Sequence, residues 1–240
     1  MPMQRTHTSQ NWQANHFEAA IIDLDGTLVD TLGDFVAVLQ KMLQDLPLPY
    51  SNYVVTRSAV ALLVGKGTEH LITRILKLSN ENAAEPLPPS VYPFAYQQYL
   101  LHYHRLNGQY ARVFDGVFAG LEQFKSWGWR MACVTNKPTD LAKALLKMKN
   151  LEGYFELVLG GDACDRKKPD PQPLLRAVEH LGVSVAKTLM VGDSSNDAIA
   201  ARAAGCPVLL VNYGYNHGLP VQDVDADAKT DSLESVFGVS

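Results

Sequence analysis

The 240-residue sequence lacks the features that mark several classes of protein. Its three cysteines are widely spaced and form no CxxC pair, which favours a reducing cytoplasm and thiols that serve as small core residues. Lysine and arginine number 21 against 25 acidic residues, so the net charge of −4 provides no basic surface for a nucleic acid. No apolar run approaches the roughly 18 residues of a membrane helix. Neither a nucleic acid nor a membrane is an expected partner.

The first sixteen residues also lack the apolar stretch of a secretory signal, and we expect them to form a disordered or weakly docked tail. Hydrophobic residues make up 47% of the chain, which suits one large domain or a domain with an insertion. From residue 108 onward, short apolar runs alternate with helical patterns, which is typical of an α/β domain with a parallel sheet. The predicted strands are 19–22, 131–135, 155–159, 188–191 and 207–211, and the predicted helices begin at 138, 171 and 197.

Residues 32–107 show no such alternation and are predicted to form a helical insertion after the first strand. Its helices are expected at 32–43, 68–78 and 90–106, with a proline-rich linker at 80–90. The predicted organisation is therefore a tail (1–16), an α/β core (17–31 and 108–240) and the insertion (32–107).

Polar residues follow three predicted strands and precede a predicted helix. The carboxyl ends of parallel strands meet at one edge of a doubly wound sheet, where ligands bind, so we expect these segments to form one site. They are DLDGT at 23–27, TNK at 135–137, KKPDP at 167–171 and GDSSND at 192–197.

These four segments, in this order, resemble the motifs of the haloacid dehalogenase superfamily of phosphotransferases. The resemblance covers nearly everything after residue 17. It implies a doubly wound, Rossmann-like parallel-sheet core with an inserted helical cap of the C1 type. It also implies hydrolysis of a small phosphorylated metabolite through an aspartyl-phosphate.

The reaction implied by the resemblance agrees with the chemistry of the residues. Asp23, at a strand tip, is the expected nucleophile, and Asp25 the expected general acid for the leaving alcohol and base for water. Thr135 and Asn136 are expected to bind the transferring phosphoryl group. Lys168 is expected to offset the charge of the phosphate and of Asp23.

Several carboxylates facing a phosphate would repel it without a divalent cation, and Mg²⁺ suits carboxylate, water and phosphate ligands. Asp23, the backbone carbonyl of Asp25, and Asp193 are similar to the metal ligands of the superfamily. Asp197 is expected to orient metal-bound water rather than to bind the ion itself.

Each motif also has a purely structural interpretation. The Asp-Gly-Thr run could form only a turn, and Thr135-Asn136 could only cap the following helix. Lys168 could be a solvated charge, as we expect for its neighbour Lys167. Asp197 could serve only to favour a helix N-terminus.

A finer resemblance, to the phosphoglycolate phosphatase branch, depends mainly on VGKGTEHLITRIL at 64–76 and NYGYN at 212–216. It implies hydrolysis of 2-phosphoglycolate to glycolate and phosphate, with a cap that closes over the site and selects the substrate. The carboxylate of 2-phosphoglycolate requires a cation, for which Lys66 and Arg74 are the candidates within the insertion. Some relatives respond to chloride, and no residue of this sequence tests that property.

Other functions stay open at this point. A sugar-phosphate mutase or another small-molecule phosphatase would share all four motifs. A phosphoaspartate receiver would use similar groups in a chain of about half this length. A catalytically dead binding protein would keep the same scaffold. The sequence predicts a cytoplasmic protein, monomeric or homodimeric.

Overall fold

The computed structural model describes residues 12–80 and 88–236. Within these residues, six strands form one parallel sheet, and two short strands form a separate antiparallel pair. In chain order the strands are β1 (Ala19–Ile22), β2 (Val29–Asp30), β3 (Arg112–Val113), β4 (Arg130–Val134), β5 (Leu157–Leu159), β6 (Thr188–Gly192), β7 (Val208–Val211) and β8 (Ala228–Thr230). The parallel sheet has the order β5-β4-β1-β6-β7-β8, so the chain builds outward from β1 first on one side and then on the other.

Helices cover both faces of this sheet and form a further unit to one side. They are α1 (Leu32–Gln44), α2 (Arg57–Ala61), α3 (Thr68–Ser79), α4 (Val91–Leu106), α5 (Val117–Ser126), α6 (Thr139–Met148), α7 (Gln172–Leu181) and α8 (Ser195–Ala204). Together with the parallel sheet they confirm the predicted doubly wound α/β fold.

The central strand β1 shows why this sequence forms a covered parallel sheet. All four of its residues are fully buried, as expected when helices lie on both faces. Ala20 and Ile22 pack into the hydrophobic cluster on the α5 and α6 side, whereas Ala19 and Ile21 pack into the cluster on the α7 and α8 side. The alternation follows from the two-residue period of a strand.

Helices α1 to α4, here called the helical unit, have their own hydrophobic cluster. The chain enters the unit after β2 and returns through β3, and these two strands pair with each other. The fully buried Asp34, in the first turn of α1, accepts hydrogen bonds from the backbone N–H groups of Gly108 (2.6 Å) and Tyr110 (2.7 Å). The entering and returning segments are thereby joined. The position of the unit agrees with the predicted insertion, and its assignment as a separate domain stays a proposal.

The sequence patterns missed three strands and two α-helices. These are β8, the β2–β3 pair, α2 and α5. The strands have two or three residues each, too few for a recognisable hydrophobic period.

The end of the predicted tail is docked on the core. The Trp12 and Phe17 rings lie 5.2 Å apart, and the Trp129 indole N–H donates to the carbonyl oxygen of Ala14 at 3.2 Å. The rest of the predicted tail, most of the linker predicted at 80–90 and the last four residues of the predicted core lie outside the described residues.

Candidate active site

The four polar segments meet at the carboxyl edge of the sheet. Asp23 directly follows β1 and its backbone N–H donates to Val191 of β6 at 2.9 Å. Thr135 follows β4, and Asp193 follows β6. The segment before α7 adds Lys168, so the sequence-predicted residues of all four segments are brought together as expected.

Lys168 is the buried cation of this site. Its ammonium nitrogen lies 2.7 Å from the Val134 carbonyl oxygen, 2.7 Å from Asp197 Oδ1 and 2.9 Å from Asp23 Oδ1, and only 2% of the side chain is exposed. Burial by itself lowers the pKa of Lys168, but Asp197 and Asp23 more than offset this and raise the pKa above its usual value. Lys168 is therefore a fixed charge, whereas Lys167 is exposed. The solvated interpretation applies to Lys167 alone.

Three buried carboxylates cluster at this site, and two of them, Asp23 and Asp197, pair with Lys168. Asp23, Asp193 and Asp197 each offer an oxygen atom, and these atoms lie within 4.8 Å of one another. Burial raises the pKa of both Asp23 and Asp193, and the negative charge of Asp197 adds to the shift at each. The surplus of hard oxygen donors and negative charge fits a divalent metal ion.

Asp197 has both of its oxygen atoms engaged. Oδ1 is paired with Lys168, and Oδ2 accepts from the backbone N–H (3.1 Å) and the hydroxyl (2.8 Å) of Ser194. Ser194 and Asp197 form a capping box at the start of α8. Asp197 therefore does stabilise the N-terminus of α8, and the same carboxylate also holds Lys168 in place.

Asp193 is held by close backbone contacts. Its Oδ2 accepts from the backbone N–H of Tyr215 at 2.7 Å, and its Oδ1 accepts from the Thr27 hydroxyl at 3.3 Å. A Cβ atom at Gly26, where φ is +91°, would lie 2.5 Å from Asp193 Oδ2, and one at Gly214 would lie 2.1 Å from Asp193 Cβ. Both glycines are therefore required for this approach, and the Thr27 hydroxyl reaches across the site rather than only closing a turn.

Thr135 and Asn136 do not cap the next helix. The Thr135 hydroxyl accepts from the Lys137 backbone N–H at 3.2 Å, and Asn136 Nδ2 donates to the Lys168 carbonyl oxygen at 2.9 Å. Asp162 caps α6 instead, because its Oδ1 accepts from the Thr139 N–H at 2.9 Å. The Oδ1 atom of Asn136 is buried and has no hydrogen-bond partner among the described residues.

The sequence patterns missed a second buried lysine. Lys137 Nζ donates to Asp25 Oδ1 at 3.2 Å and to the hydroxyl of Tyr103 on α4, and its side chain is 1% exposed. Its place directly after Thr135-Asn136, at the end of a strand, was the only signal that could have found it.

A cavity of about 70 Å³ lies between these groups and the helical unit. Lys66 and Arg74 are both exposed and do not line it. The loop that carries Lys66 still touches the core, because the Gly65 carbonyl oxygen accepts from Asn196 Nδ2 at 2.9 Å. The role predicted for Lys66 or Arg74 stays a prediction. The cavity is lined by Asp23, Asp25, Phe35, Leu63, Val64, Gly65, Gly67, Thr68, Leu71, Tyr99, Tyr103, Thr135, Asn136, Lys137, Pro138, Lys168, Asp193, Ser194, Asn196, Asp197, Tyr215, Asn216 and His217.

Residues 20–211 match the family model described as haloacid dehalogenase-like hydrolase. The chain belongs to this family. Members of the family hydrolyse phosphate esters and generally use Mg²⁺, and the acidic cluster described above is a place where this chain could hold a metal.

Two relatives of this chain carry the same name. A phosphoglycolate phosphatase of Thiobacillus denitrificans is 44% identical over 216 residues, which are 90% of this chain and 92% of that protein. The plasmid-encoded phosphoglycolate phosphatase of Cupriavidus necator is 42% identical over 218 residues, 91% of this chain and 90% of that protein.

Two crystal structures have a similar fold. One described as a predicted phosphoglycolate phosphatase from Haemophilus somnus has a TM-score of 0.85 at 30% identity, covering 92% of this chain and 96% of that one. CbbY from Rhodobacter sphaeroides, solved with phosphate, has a TM-score of 0.74 at 22% identity, covering 92% and 96%, and shows the shared fold alone. In the part of the chain that the structure describes, no helix is both long and apolar enough to cross a bilayer.

Proposed function

We propose that this protein is a Mg²⁺-dependent phosphatase that hydrolyses 2-phosphoglycolate to glycolate and phosphate through a phosphorylated Asp23. The observation that carries the proposal is the placement of Asp23. Its carboxylate lines the cavity beside Asp193 and Asp197, and its Oδ1 lies 2.9 Å from Lys168 Nζ. Relatives of similar length that are named for this activity support the substrate.

In the first half-reaction, a carboxylate oxygen of Asp23 attacks phosphorus and the bond from phosphorus to the ester oxygen breaks. Asp25, two residues further on and also lining the cavity, gives its proton to the departing oxygen. In the second half-reaction, Asp25 takes a proton from water, whose oxygen attacks phosphorus. The bond to Asp23 then breaks, which regenerates the carboxylate.

The remaining residues fix positions and charge. Lys168 offsets the negative charge of Asp23 and of the transferring phosphoryl group. Thr135 and Asn136 lie beside Lys168 in the cavity lining and would donate to the phosphoryl oxygens. Asn136 Nδ2 donates to the Lys168 carbonyl oxygen. To bind a phosphoryl oxygen, this amide must break that hydrogen bond or donate to both oxygens.

The metal would be held by Asp23, Asp193 and the backbone carbonyl of Asp25. When bound, Mg²⁺ neutralises the phosphate charge and orients it for in-line attack. Asp197 would act through Lys168 and through water, because both of its oxygen atoms are already engaged.

The small cavity supports a small substrate. A water molecule needs about 10–15 Å³ of such space, so the cavity admits only a few water-sized groups. A two-carbon leaving group needs less of this space than a six-carbon sugar does. A cytoplasmic location, a monomer or homodimer, and a response to chloride are kept in the proposal as predictions.

Phosphate release across a panel of esters tests the proposal. With Mg²⁺ present, 2-phosphoglycolate should give the highest kcat/KM, above glucose phosphates, phosphoserine and nucleotides. Phosphate transfer between sugar positions in place of release would identify a mutase. Absence of turnover on every ester would support a binding protein and contradict the proposal.

A further inference from the structure

Lys137 is the buried charge that the proposed reaction does not use. It follows the strand end that carries Thr135, and its side chain extends toward the helical unit. There it meets Asp25 Oδ1 at 3.2 Å and the hydroxyl of Tyr103 on α4. The Tyr103 ring centroid lies 4.6 Å from Nζ and the Phe35 ring centroid 5.4 Å.

We infer that Lys137, positioned by Tyr103, binds the carboxylate of the substrate and so selects phosphate esters with a short anionic leaving group. The inference rests on the proposed phosphatase activity, because Asp25 fixes where the leaving oxygen must lie. Lys137 takes over neither the role of Asp23 nor that of Asp25 in the reaction.

Distances place Lys137 within reach of such a group. A general acid must approach the oxygen it protonates to about 2.6–3.2 Å, and Asp25 lies at the same kind of distance from Lys137 Nζ. In 2-phosphoglycolate a single carbon separates the ester oxygen from the carboxylate. With the ester oxygen at Asp25, the carboxylate therefore lies within a few ångströms of Asp25, close enough to turn toward Lys137 Nζ.

The donor count of the two buried lysines points the same way. An ammonium group has three N–H donors. Those of Lys168 face Val134, Asp197 and Asp23, so Lys168 has none left for a leaving group. Among the described residues, Lys137 Nζ donates to two acceptors, Asp25 and Tyr103. One of its three N–H donors is left for a ligand.

No other group of the described lining offers a positive charge to the leaving group. The lining contains no arginine, and its lysines are Lys137 and Lys168. His217 also lines the cavity, but burial lowers its pKa and its Nδ1 lies 2.8 Å from the Val64 carbonyl oxygen. Lys66 and Arg74 are exposed and outside the lining.

The surroundings of Lys137 make its charge effective. Only 1% of the Lys137 side chain is exposed, and electrostatic interactions are stronger away from bulk water. The rings also contact the cation through their faces. A neutral leaving group would gain less from this charge than a carboxylate does.

The test compares 2-phosphoglycolate with 2-hydroxyethyl phosphate, in which a neutral hydroxymethyl group replaces the carboxylate of the leaving group. In Lys137→Met, kcat/KM for 2-phosphoglycolate should fall by about a hundredfold or more, and that for 2-hydroxyethyl phosphate by less than about tenfold. Lys143→Met, an exposed lysine on α6, is the matched control and should leave both values unchanged.

Tyr103→Phe keeps the ring and removes the hydroxyl, so it covers the case in which Lys137→Met fails to fold. It should shift the ratio of the two kcat/KM values in the same direction by about fivefold, through KM for 2-phosphoglycolate more than through kcat. Lys66→Met and Arg74→Met should keep the wild-type ratio.

Equal losses on both esters in Lys137→Met and an unchanged ratio in Tyr103→Phe would overturn the inference and leave the proposed function standing. Loss of the preference in Lys66→Met or Arg74→Met would return the role to the helical-unit cations. A wild-type enzyme without any preference for 2-phosphoglycolate would overturn the proposed substrate and the inference together.

Discussion

The two sides of the cavity are built in different ways. The phosphoryl side consists of Asp23, Asp193 and Lys168, which sit within a few residues of strand ends or of a helix start. The leaving-group side is assembled from distant segments, with Tyr103 on α4 and Phe35 on α1 facing Lys137 of the core. Short contiguous motifs carry the residues of the proposed reaction, whereas the proposed selectivity depends on how the helical unit packs over the core.

The largest effect is expected from Asp23→Asn on the phosphoryl side. An amide cannot form the acyl phosphate, so kcat should fall by at least about a thousandfold for 2-phosphoglycolate and for 2-hydroxyethyl phosphate alike. Phosphate release measures the rate, and thermal unfolding checks that the fold is kept. A change in the preference between the esters without loss of rate would contradict the division of roles.

Lys168→Met tests how far the phosphoryl side depends on its single cation. It leaves Asp23 and Asp197 buried without their partner, and the free energy of unfolding should fall by about 3–5 kcal/mol. Urea unfolding without metal measures this loss. Lys167→Met, at the exposed neighbouring lysine, is the control, and equal stability of the two variants would contradict the account.

The surplus of carboxylates predicts that Mg²⁺ stabilises the folded protein. At about a hundred times its Kd, the ion should add about 2.7 kcal/mol to the free energy of unfolding, and EDTA should remove this gain. Thermal unfolding with and without Mg²⁺ measures the shift. Asp193→Asn should abolish the shift, whereas Asp223→Asn, at an exposed position, should retain it. A shift that persists in Asp193→Asn would place the ion elsewhere.

The smallest effect is expected at Tyr215, which connects the phosphoryl side to the entrance of the helical unit. Its hydroxyl accepts from the Thr31 N–H at 2.7 Å and donates to Asp30 Oδ1 at 2.9 Å, while its own N–H donates to Asp193. Tyr215→Phe should lower the free energy of unfolding by about 1 kcal/mol. Urea unfolding measures this loss, with Tyr110→Phe, at an exposed tyrosine, as the control. Equal free energies of unfolding in the two variants would show that the hydrogen bonds of the Tyr215 hydroxyl contribute nothing.

The phosphoryl side could be predicted from the sequence for a simple reason. Apolar runs such as 19–22 and 188–191 identify buried parallel strands, and parallel strands bring their carboxyl ends to one edge. These runs therefore predict that Asp23 and Asp193 lie together, and the KKPDP motif predicts Lys168 beside them.

The leaving-group side could not be predicted in the same way. Lys137 and Tyr103 are 34 residues apart, and the aromatic stretch around Tyr103 has no motif that marks one ring as facing the site. Glycines flank Lys66, and this pattern predicts a loop that approaches a small anion closely. In the structure, the backbone of this loop contacts the core through Gly65, and the Lys66 side chain is exposed.

The most direct test of the account is to trap the phosphorylated intermediate. Enzyme mixed with ³²P-labelled 2-phosphoglycolate and Mg²⁺ should be quenched in acid within milliseconds, digested and sequenced by mass spectrometry. The account predicts acid-stable label on the peptide that contains Asp23, and no label in Asp23→Asn. Phosphate release at the full rate, with no label on Asp23 at any time point, would contradict it.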